Sequence, residues 1–314
     1  MTRILVTGAS GFIGRALVNE LADKGQTVRA AMRHPADIFP RSVEVVAVSD
    51  LTRPVEWRAL LKNVETVVHL AGIAHADAAI AEEAYDRVNR LATAELSEAA
   101  RAMGIRRLIL VSSIRAQCGA TAPHVVTEAD EPHPTDAYGR SKLAAEDAIR
   151  KANVPYTILR PVLVYGVGNK GNLARLVRLA RSPWPLPLGA FRNRRSLVAR
   201  PNLLSAVHHA MQSDALAGET CIVADPKPVT LTEMIAALRT GAGRARNLVP
   251  VPPALIAWAL KTTGRADMWD RLGGELVADP SKLLRAGWQP AVETVSGLAA
   301  MAREEQQALG SKTA

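Results

Sequence analysis

Tyr138-Gly139-Arg140-Ser141-Lys142 sets a phenol and an ammonium four residues apart. On a helix that spacing puts both groups on one face. A nearby ammonium favours phenolate, so Tyr138 is suited to act as acid or base near neutral pH. Twenty-five residues earlier, Ser112-Ser113 follows the apolar run Leu108-Ile109-Leu110-Val111. A hydroxyl at the end of such a strand can hydrogen-bond a carbonyl or alcohol oxygen. A Tyr-x-x-x-Lys pair alone is common on surfaces. Its company makes it chemical.

That company is Gly8-Ala9-Ser10-Gly11-Phe12-Ile13-Gly14, which joins the strand Ile4-Leu5-Val6-Thr7 to an amphipathic helix. Gly8 permits a tight turn, Gly11 lets backbone approach a pyrophosphate at the positive helix end, and Gly14 lets helix and strand pack closely. The spacing is G-x-x-G-x-x-G, and its strand–turn–helix setting points to a dinucleotide. After the second strand stands Met32-Arg33-His34, where an acid would bind the adenosine ribose of NAD. Arg33 is placed to hold the 2′-phosphate of NADP, or to lie along the adenine, which either cofactor allows; the preferred reading is NADP, with NAD possible. Asp50-Leu51, after the third strand, suits the adenine edge; the alternative for Asp50 is a helix N-cap before Pro54.

The elements that would position these residues alternate. Strands are expected at 4–7, 27–32, 43–48, 66–70, 108–111 and 156–159, with helices after the glycine turn and at 82–103 and 136–152. Continuous apolar strands alternating with helices predict α/β architecture: a Rossmann-type doubly wound parallel sheet covered on both faces. Beyond residue 160 the chain turns Pro-rich and basic. Helices are expected at 173–180, 203–212, 231–240, 253–262 and 292–308, forming a smaller, mostly helical lobe. The division is 1–165 for the dinucleotide-binding domain and 166–309 for the substrate lobe, within which the chain can return to the sheet, with a frayed tail at 310–314.

Composition narrows the class. The 314 residues are 48% hydrophobic and 22% charged, which excludes bulk disorder. Two cysteines, Cys118 and Cys221, provide neither a disulfide framework nor a Cys-based zinc site, and no metal is expected. Aromatics at 4% are too sparse for a base-stacking platform. The first residues lack the charged and apolar regions of a signal peptide, and no apolar run is long enough to span a bilayer. The expectation is a soluble, cytoplasmic protein with no membrane partner. The net charge of +9 collects in residues 148–213, which hold eleven Lys and Arg and no Asp or Glu. Such a field concentrates anions, and arginine grips phosphate by forked hydrogen bonds.

Taken together, the chain resembles the extended short-chain dehydrogenase/reductase family, in its NAD-dependent epimerase/dehydratase branch acting on nucleotide sugars. The resemblance rests on Thr7–Gly14, His69-Leu70-Ala71-Gly72, Val88-Asn89, Val111-Ser112-Ser113, Tyr138-x-x-x-Lys142 and Leu159–Gly166, with looser matches at Gly171-Asn172-Leu173, Arg195–Val198 and Gly287-Trp288-x-Pro290. It implies that Tyr138 exchanges a proton with the sugar oxygen, that Lys142 holds the nicotinamide ribose and depresses the Tyr138 pKa, and that Ser113 polarises the same oxygen. By the same token Gly8, Ser10, Gly11, Phe12, Ile13, Gly14, Leu70, Ala71, Gly72 and Asn89 would contact cofactor. For Asn89 a purely structural hydrogen bond is the equal alternative. Pro161 and Val164 would line the nicotinamide pocket. Asn172 and Leu173 would meet the nucleotide, Arg195 its diphosphate, and His75 and Arg115 the substrate. A homodimer through helices 82–103 and 136–152 is the family's expectation.

Departures from the family pattern choose among activities. Ile114-Arg115 follows Ser113 where the family's dehydratases carry Asp-Glu, which disfavours dehydration. Ala116-Gln117-Cys118-Gly119 alters the pocket wall, and Ala199-Arg200-Pro201-Asn202 lacks the usual acid. The preferred reading is a reductase of UDP-4-keto-6-deoxy-hexosamines using NADPH; the close alternative is a UDP-sugar 4-epimerase with tightly held NAD. Weaker readings are a flavonol-type ketone reductase and a non-catalytic NADP sensor or RNA-associated scaffold, with nucleic acid not expected as a partner.

Overall fold

Runs such as Ile4-Leu5-Val6 and Leu108-Ile109-Leu110 have no polar alternation, so both faces of their strands must be buried. The structure, a computed structural model, describes residues 3–74, 79–169, 171–264, 269 and 273–313. Strands β1 (Arg3–Thr7), β2 (Thr27–Met32), β3 (Glu44–Ala47), β4 (Thr66–His69), β5 (Arg107–Val111), β7 (Tyr156–Pro161) and β11 (Glu219–Val223) form one seven-stranded sheet. Its order is β11-β7-β5-β4-β1-β2-β3, and every neighbouring pair is parallel. The fold is a Rossmann-type doubly wound α/β sheet. The chain runs outward from β1 to β3 and then crosses to β4 on the other side of β1. That reversal opens a crevice at the carboxyl ends of β1 and β4, where such sheets bind ligands.

Helix α1 (Phe12–Asp23) covers one face, burying Leu17, Val18 and Leu21 with Ile4 and Val6. Leu5, between them, points to the other face and packs with Trp57 of α2 (Trp57–Leu60), Leu96 of α4 (Ala92–Ala102) and Ile149 of α5 (Ala137–Lys151). The helix expected at 82–103 is present but broken. Helix α3 (Glu82–Tyr85) runs through a π-helical turn, Asp86–Leu91, before α4 begins.

The remaining chain builds the lobe. The short pairs β8 (Leu163–Tyr165) with β10 (Leu197–Ala199), β9 (Arg194–Arg195) with β12 (Val229–Thr230), and β6 (Val125–Val126) with β13 (Val277–Ala278) lie outside the main sheet. Leu173 and Val177 of α6 (Gly171–Ala180), Met234 and Leu238 of α8 (Leu231–Gly241) and Leu298 and Met301 of the last helix (Thr294–Thr313) form the lobe core. This last helix continues to Thr313, past the expected end at 308, so the tail expected at 310–314 is helical through Thr313. Helix α7 (Arg200–Gln212) starts on Arg200-Pro201, three residues before the expected start, because Pro fits the first turn of a helix.

The acid-free segment is less exposed to ligand than its charge suggests. Arg150 and Arg160 bond Glu146, Arg181 bonds Glu305 and Arg194 bonds Glu275. These four arginines are met by carboxylates that precede or follow the segment in sequence.

Candidate active site

The crevice floor is set by how α5 begins. Asp136 is its N-cap, accepting a hydrogen bond from Gly139 N at 2.7 Å. An Asp at that position stabilises a helix start by ~1 kcal/mol. Its other oxygen accepts from the Arg115 guanidinium. Tyr138 and Lys142 follow on the buried face. The Tyr138 phenol faces the Ser113 hydroxyl closely enough for the two to interact, and Ser113 Oγ accepts from Arg115 N at 3.2 Å. The tilted Tyr85 ring lies 6.2 Å from that of Tyr138. Lys142 Nζ donates to Val111 O, the last carbonyl of β5, at 3.1 Å. All three side chains therefore meet at the carboxyl end of β5.

Electrostatics corrects one expectation. Burial pushes the Tyr138 phenol above the ordinary phenolic range, against a smaller lowering by the nearby Ser113 hydroxyl. The phenol is held protonated, where the sequence suggested an easy phenolate. The ammonium expected to lower it is turned to the β5 carbonyl and is itself destabilised. Burial drives Lys142 down to about 8, opposed by the Glu146 carboxylate one turn further on.

Beneath the three lies a buried ionic knot that the sequence reading did not single out. Glu146 accepts from Ser112 Oγ at 2.6 Å, from Arg160 Nη2 at 2.6 Å and Nε at 3.0 Å, and from Arg150 Nη2 at 3.0 Å. Arg160 also donates to Gln117. Glu146 thus ties β5, α5 and β7 together immediately behind Ser113. The available signal was its spacing: Glu146 stands four residues after Lys142 and eight after Tyr138, on the face that must be buried.

A second polar chain fixes the glycine turn. Thr93 Oγ1 donates to Asn89 O, so it accepts from His69 Nε2 at 3.1 Å. His69 Nδ1 is then the acceptor for Thr7 Oγ1 at 2.7 Å, while Thr7 Oγ1 accepts from Leu70 N and Ala71 N. These bonds require neutral imidazole with its proton on Nε2. Burial, with Lys142 second, lowers His69 to about 3 and agrees. The chain presses Leu70-Ala71 against Gly8, where a Cβ would lie 2.7 Å from Ala71 N. Gly8 also has φ +67°, which suits glycine. At Gly14 a Cβ would collide with the Gly8 carbonyl.

Asn89 has the structural role. Its side chain accepts from Ile73 N at 2.8 Å and donates to Ser141 Oγ at 2.9 Å, joining the π-helical turn to the loop after β4 and to α5. Arg33 is exposed at the end of β2. Asp50, also exposed, is held below the usual carboxylate range chiefly by its bonds to Thr52, with Arg33 and Arg53 adding to it. It makes a turn there, with no helix to cap. Leu51 is buried and Asn172 is exposed. Pro161 is buried and Val164 half-buried at the β7–β8 step. Phe12 lies beneath Arg200, 4.9 Å from ring to guanidinium. Leu173 points into the lobe core, so only its backbone remains for a ligand. Arg195 is half-buried, Arg115 is engaged by Asp136, and His75 lies outside the described residues.

The acid missing near Asn202 is restored from β11's far end. Asp225 accepts from Asn202 Nδ2 at 2.7 Å, from Ala199 N at 3.1 Å, and from the Tyr165 and Thr294 hydroxyls. No local sequence signal marks it.

A nicotinamide dinucleotide fits this crevice. The glycine turn is a cradle that side chains at Gly8 and Gly14 would fill, and α1 begins on Gly11 with neither a side-chain cap nor an acid in its first turn. The orphan N–H groups of that turn suit a pyrophosphate. Comparison with known proteins agrees. A family model described as the NAD dependent epimerase/dehydratase family matches residues 4–224. The chain belongs to that family. Within the family, it is 33% identical over 298 residues to a UDP-glucose 4-epimerase of Vibrio cholerae, covering 91% of this chain and 90% of that one. A ceramide reductase of Caulobacter vibrioides is 38% identical over 182 residues, covering 57% of this chain and 52% of that one. Among solved structures, MoeE5 in complex with UDP-glucose and NAD superposes with a TM-score of 0.77 at 25% identity, covering 98% of this chain and 99% of that one. The fold is that of the extended short-chain dehydrogenase/reductases, and this member of the family is an enzyme.

Proposed function

We propose that this enzyme is an NAD(P)-dependent oxidoreductase acting at C4 of a nucleotide sugar, reducing a UDP-4-keto-6-deoxy-hexosamine with NADPH. The observation that carries this reading is the juxtaposition of Ser113 and Tyr138, with Lys142 one turn further along α5, at the carboxyl end of β5. A keto oxygen seated between the two hydroxyls accepts a hydrogen bond from Ser113 and the proton of Tyr138. When bound, NADPH supplies the hydride to C4. The carbonyl then becomes an alcohol, one hydride and one proton richer, and Tyr138 regains its proton from water. A phenol kept protonated by burial suits donation, the direction a reductase needs. Lys142 is placed to hold the nicotinamide ribose. Arg33 stands at the end of β2 where the sequence carries no acid, which favours the 2′-phosphate of NADP. Residues 1–165 would carry the cofactor and 166–309 the sugar nucleotide, with Arg195 and Asn172 facing the diphosphate and nucleotide. The enzyme would act as a cytoplasmic homodimer through α3–α4 and α5, testable by sedimentation.

One observation favours a second reading. The Vibrio cholerae relative, matched over nine-tenths of both chains, carries the name of a UDP-glucose 4-epimerase. That activity would need tightly held NAD and a pocket in which the keto sugar turns over. The same assay separates the two. Loss of NADPH absorbance with UDP-4-keto-6-deoxy-N-acetylglucosamine supports the reductase. Interconversion of UDP-glucose and UDP-galactose without added cofactor supports the epimerase. Neither reaction, together with salt-dependent binding of generic nucleic acid, would leave only a scaffold.

A further inference from the structure

Helix α9 (Pro253–Thr262, PALIAWALKT) is the least buried apolar element described. It has one charged residue, Lys261, and none of its residues is buried. Only its inner side has a place to pack: Ile256 contacts the small cluster of Leu186, Leu188, Phe191, Leu231 and Ile235. Leu255 and Trp258, three residues apart on one face, are 58% and 68% exposed. The same cluster is bordered by a bridge between Leu186 and Leu248, and two more apolar side chains emerge beside that bridge. They are Trp184, 74% exposed, and Val249, 45% exposed, whose N–H bonds Leu186 O. Trp184 and Trp258 are the most exposed large apolar side chains among the described residues. Side chains of this size grouped around one cluster mark an interaction surface.

Charge identifies the partner. Residues 234–264 contain no Asp or Glu. Arg244, Arg246 and Lys261 around α9 are exposed, and α6, which packs on α8, adds exposed Arg175 and Arg178. Arg239, the remaining basic residue of 234–264, is buried against backbone carbonyls. A second copy of the chain would bring this positive rim against itself. We propose that α9, Trp184 and Val249 form a docking surface for an anionic lipid bilayer. Indole rings settle at the headgroup level, leucine enters the acyl boundary, and arginine and lysine stems reach the phosphates. No described helix is long and apolar enough to cross a membrane, and ten residues span only ~15 Å, so α9 lies along the surface. Such docking runs against the expectation of no membrane partner, and it stands whichever sugar reaction the crevice performs.

The test uses the full-length protein with vesicles of phosphatidylcholine alone or mixed equally with phosphatidylglycerol. The protein should sediment with the mixed vesicles, release at high salt, and shift its tryptophan fluorescence to the blue. The double variant Leu255→Ser, Trp258→Ser should partition ~100-fold more weakly, since each lost apolar anchor is worth about tenfold. Its melting temperature and turnover should match wild type, because neither residue is buried or lines the crevice. No sedimentation with mixed vesicles, equal binding by the variant, or self-association that the variant abolishes would each overturn the proposal.

Discussion

The two sides of the crevice differ in how much polar and apolar chemistry they leave at the surface. On the sheet side, Glu146, Arg160, Ser112 and His69 are enclosed, and each makes hydrogen bonds that fix its geometry. On the lobe side Asp225 and Arg239 are enclosed too, but Arg194 bonds its carboxylate at the surface, and an apolar helix stands in water. The contrast teaches where rigidity is needed. The proposed proton transfer needs the Tyr138 and Ser113 oxygens held in register, and the groups behind them are buried and bonded. Recognition and docking surfaces remain accessible, and give up internal satisfaction to do so.

That contrast can be broken by substitution. The largest effect belongs to the sheet side. Tyr138→Phe should lower turnover by ~10²–10⁴-fold while cofactor binding, followed by fluorescence titration, stays near wild type. Unchanged turnover would remove the phenol from the chemistry. Next, Glu146→Ala should destabilise the fold by ~3–5 kcal/mol in urea unfolding, because it leaves Arg160 charged and unpaired in the interior. A loss under ~1 kcal/mol would mean the knot is not what holds this wall.

Lys142→Met should have the opposite sign for stability. Folding lowers the lysine from 10.5 to about 8, so the folded chain binds its proton less tightly than the unfolded chain does. The resulting penalty is complete below about pH 8 and fades as pH rises towards 10.5. The variant should therefore gain ~1–3 kcal/mol at pH 7, less at pH 10, and lose turnover. Equal stability changes at both pH values would contradict a charged, buried lysine. The smallest effect is expected on the lobe side: Arg194→Ala, losing an exposed pair with Glu275, should move the unfolding free energy by less than ~1 kcal/mol.

Much of the sheet side was legible because local rules suffice there. Uninterrupted apolar runs dictated strands buried on both faces, the glycine spacing dictated the turn, and the Tyr-x-x-x-Lys interval dictated a shared helix face. What stayed hidden required tertiary contact. Glu146 reads as one more surface charge of a polar helix until Arg160 and Ser112 are brought to it from other strands. Asp225 lies more than twenty residues from Asn202, and nothing in its neighbours announces the bond. The Tyr138 pKa was misjudged because helix periodicity reports which face a lysine shares and says nothing about where its flexible stem delivers the charge. The arginines of 148–213 suggested an anion-binding field, yet several are met by carboxylates from elsewhere in the chain. Exposure of α9 was equally unreadable, since an apolar helical segment ordinarily predicts core.

The π-helical turn at Asp86–Leu91 carries one residue more than a regular helix would need. Its phase shift is what lets a single rod address α5 twice: Tyr85 and Glu82 before the turn meet Tyr138 and Arg140, and Asn89 within it meets Ser141. Excising one residue here would swing the preceding turn by about 100° about the axis. Such a deletion would disarm the phenol's surroundings without removing any reacting atom, and would look like harmless helix trimming to anyone reading letters alone.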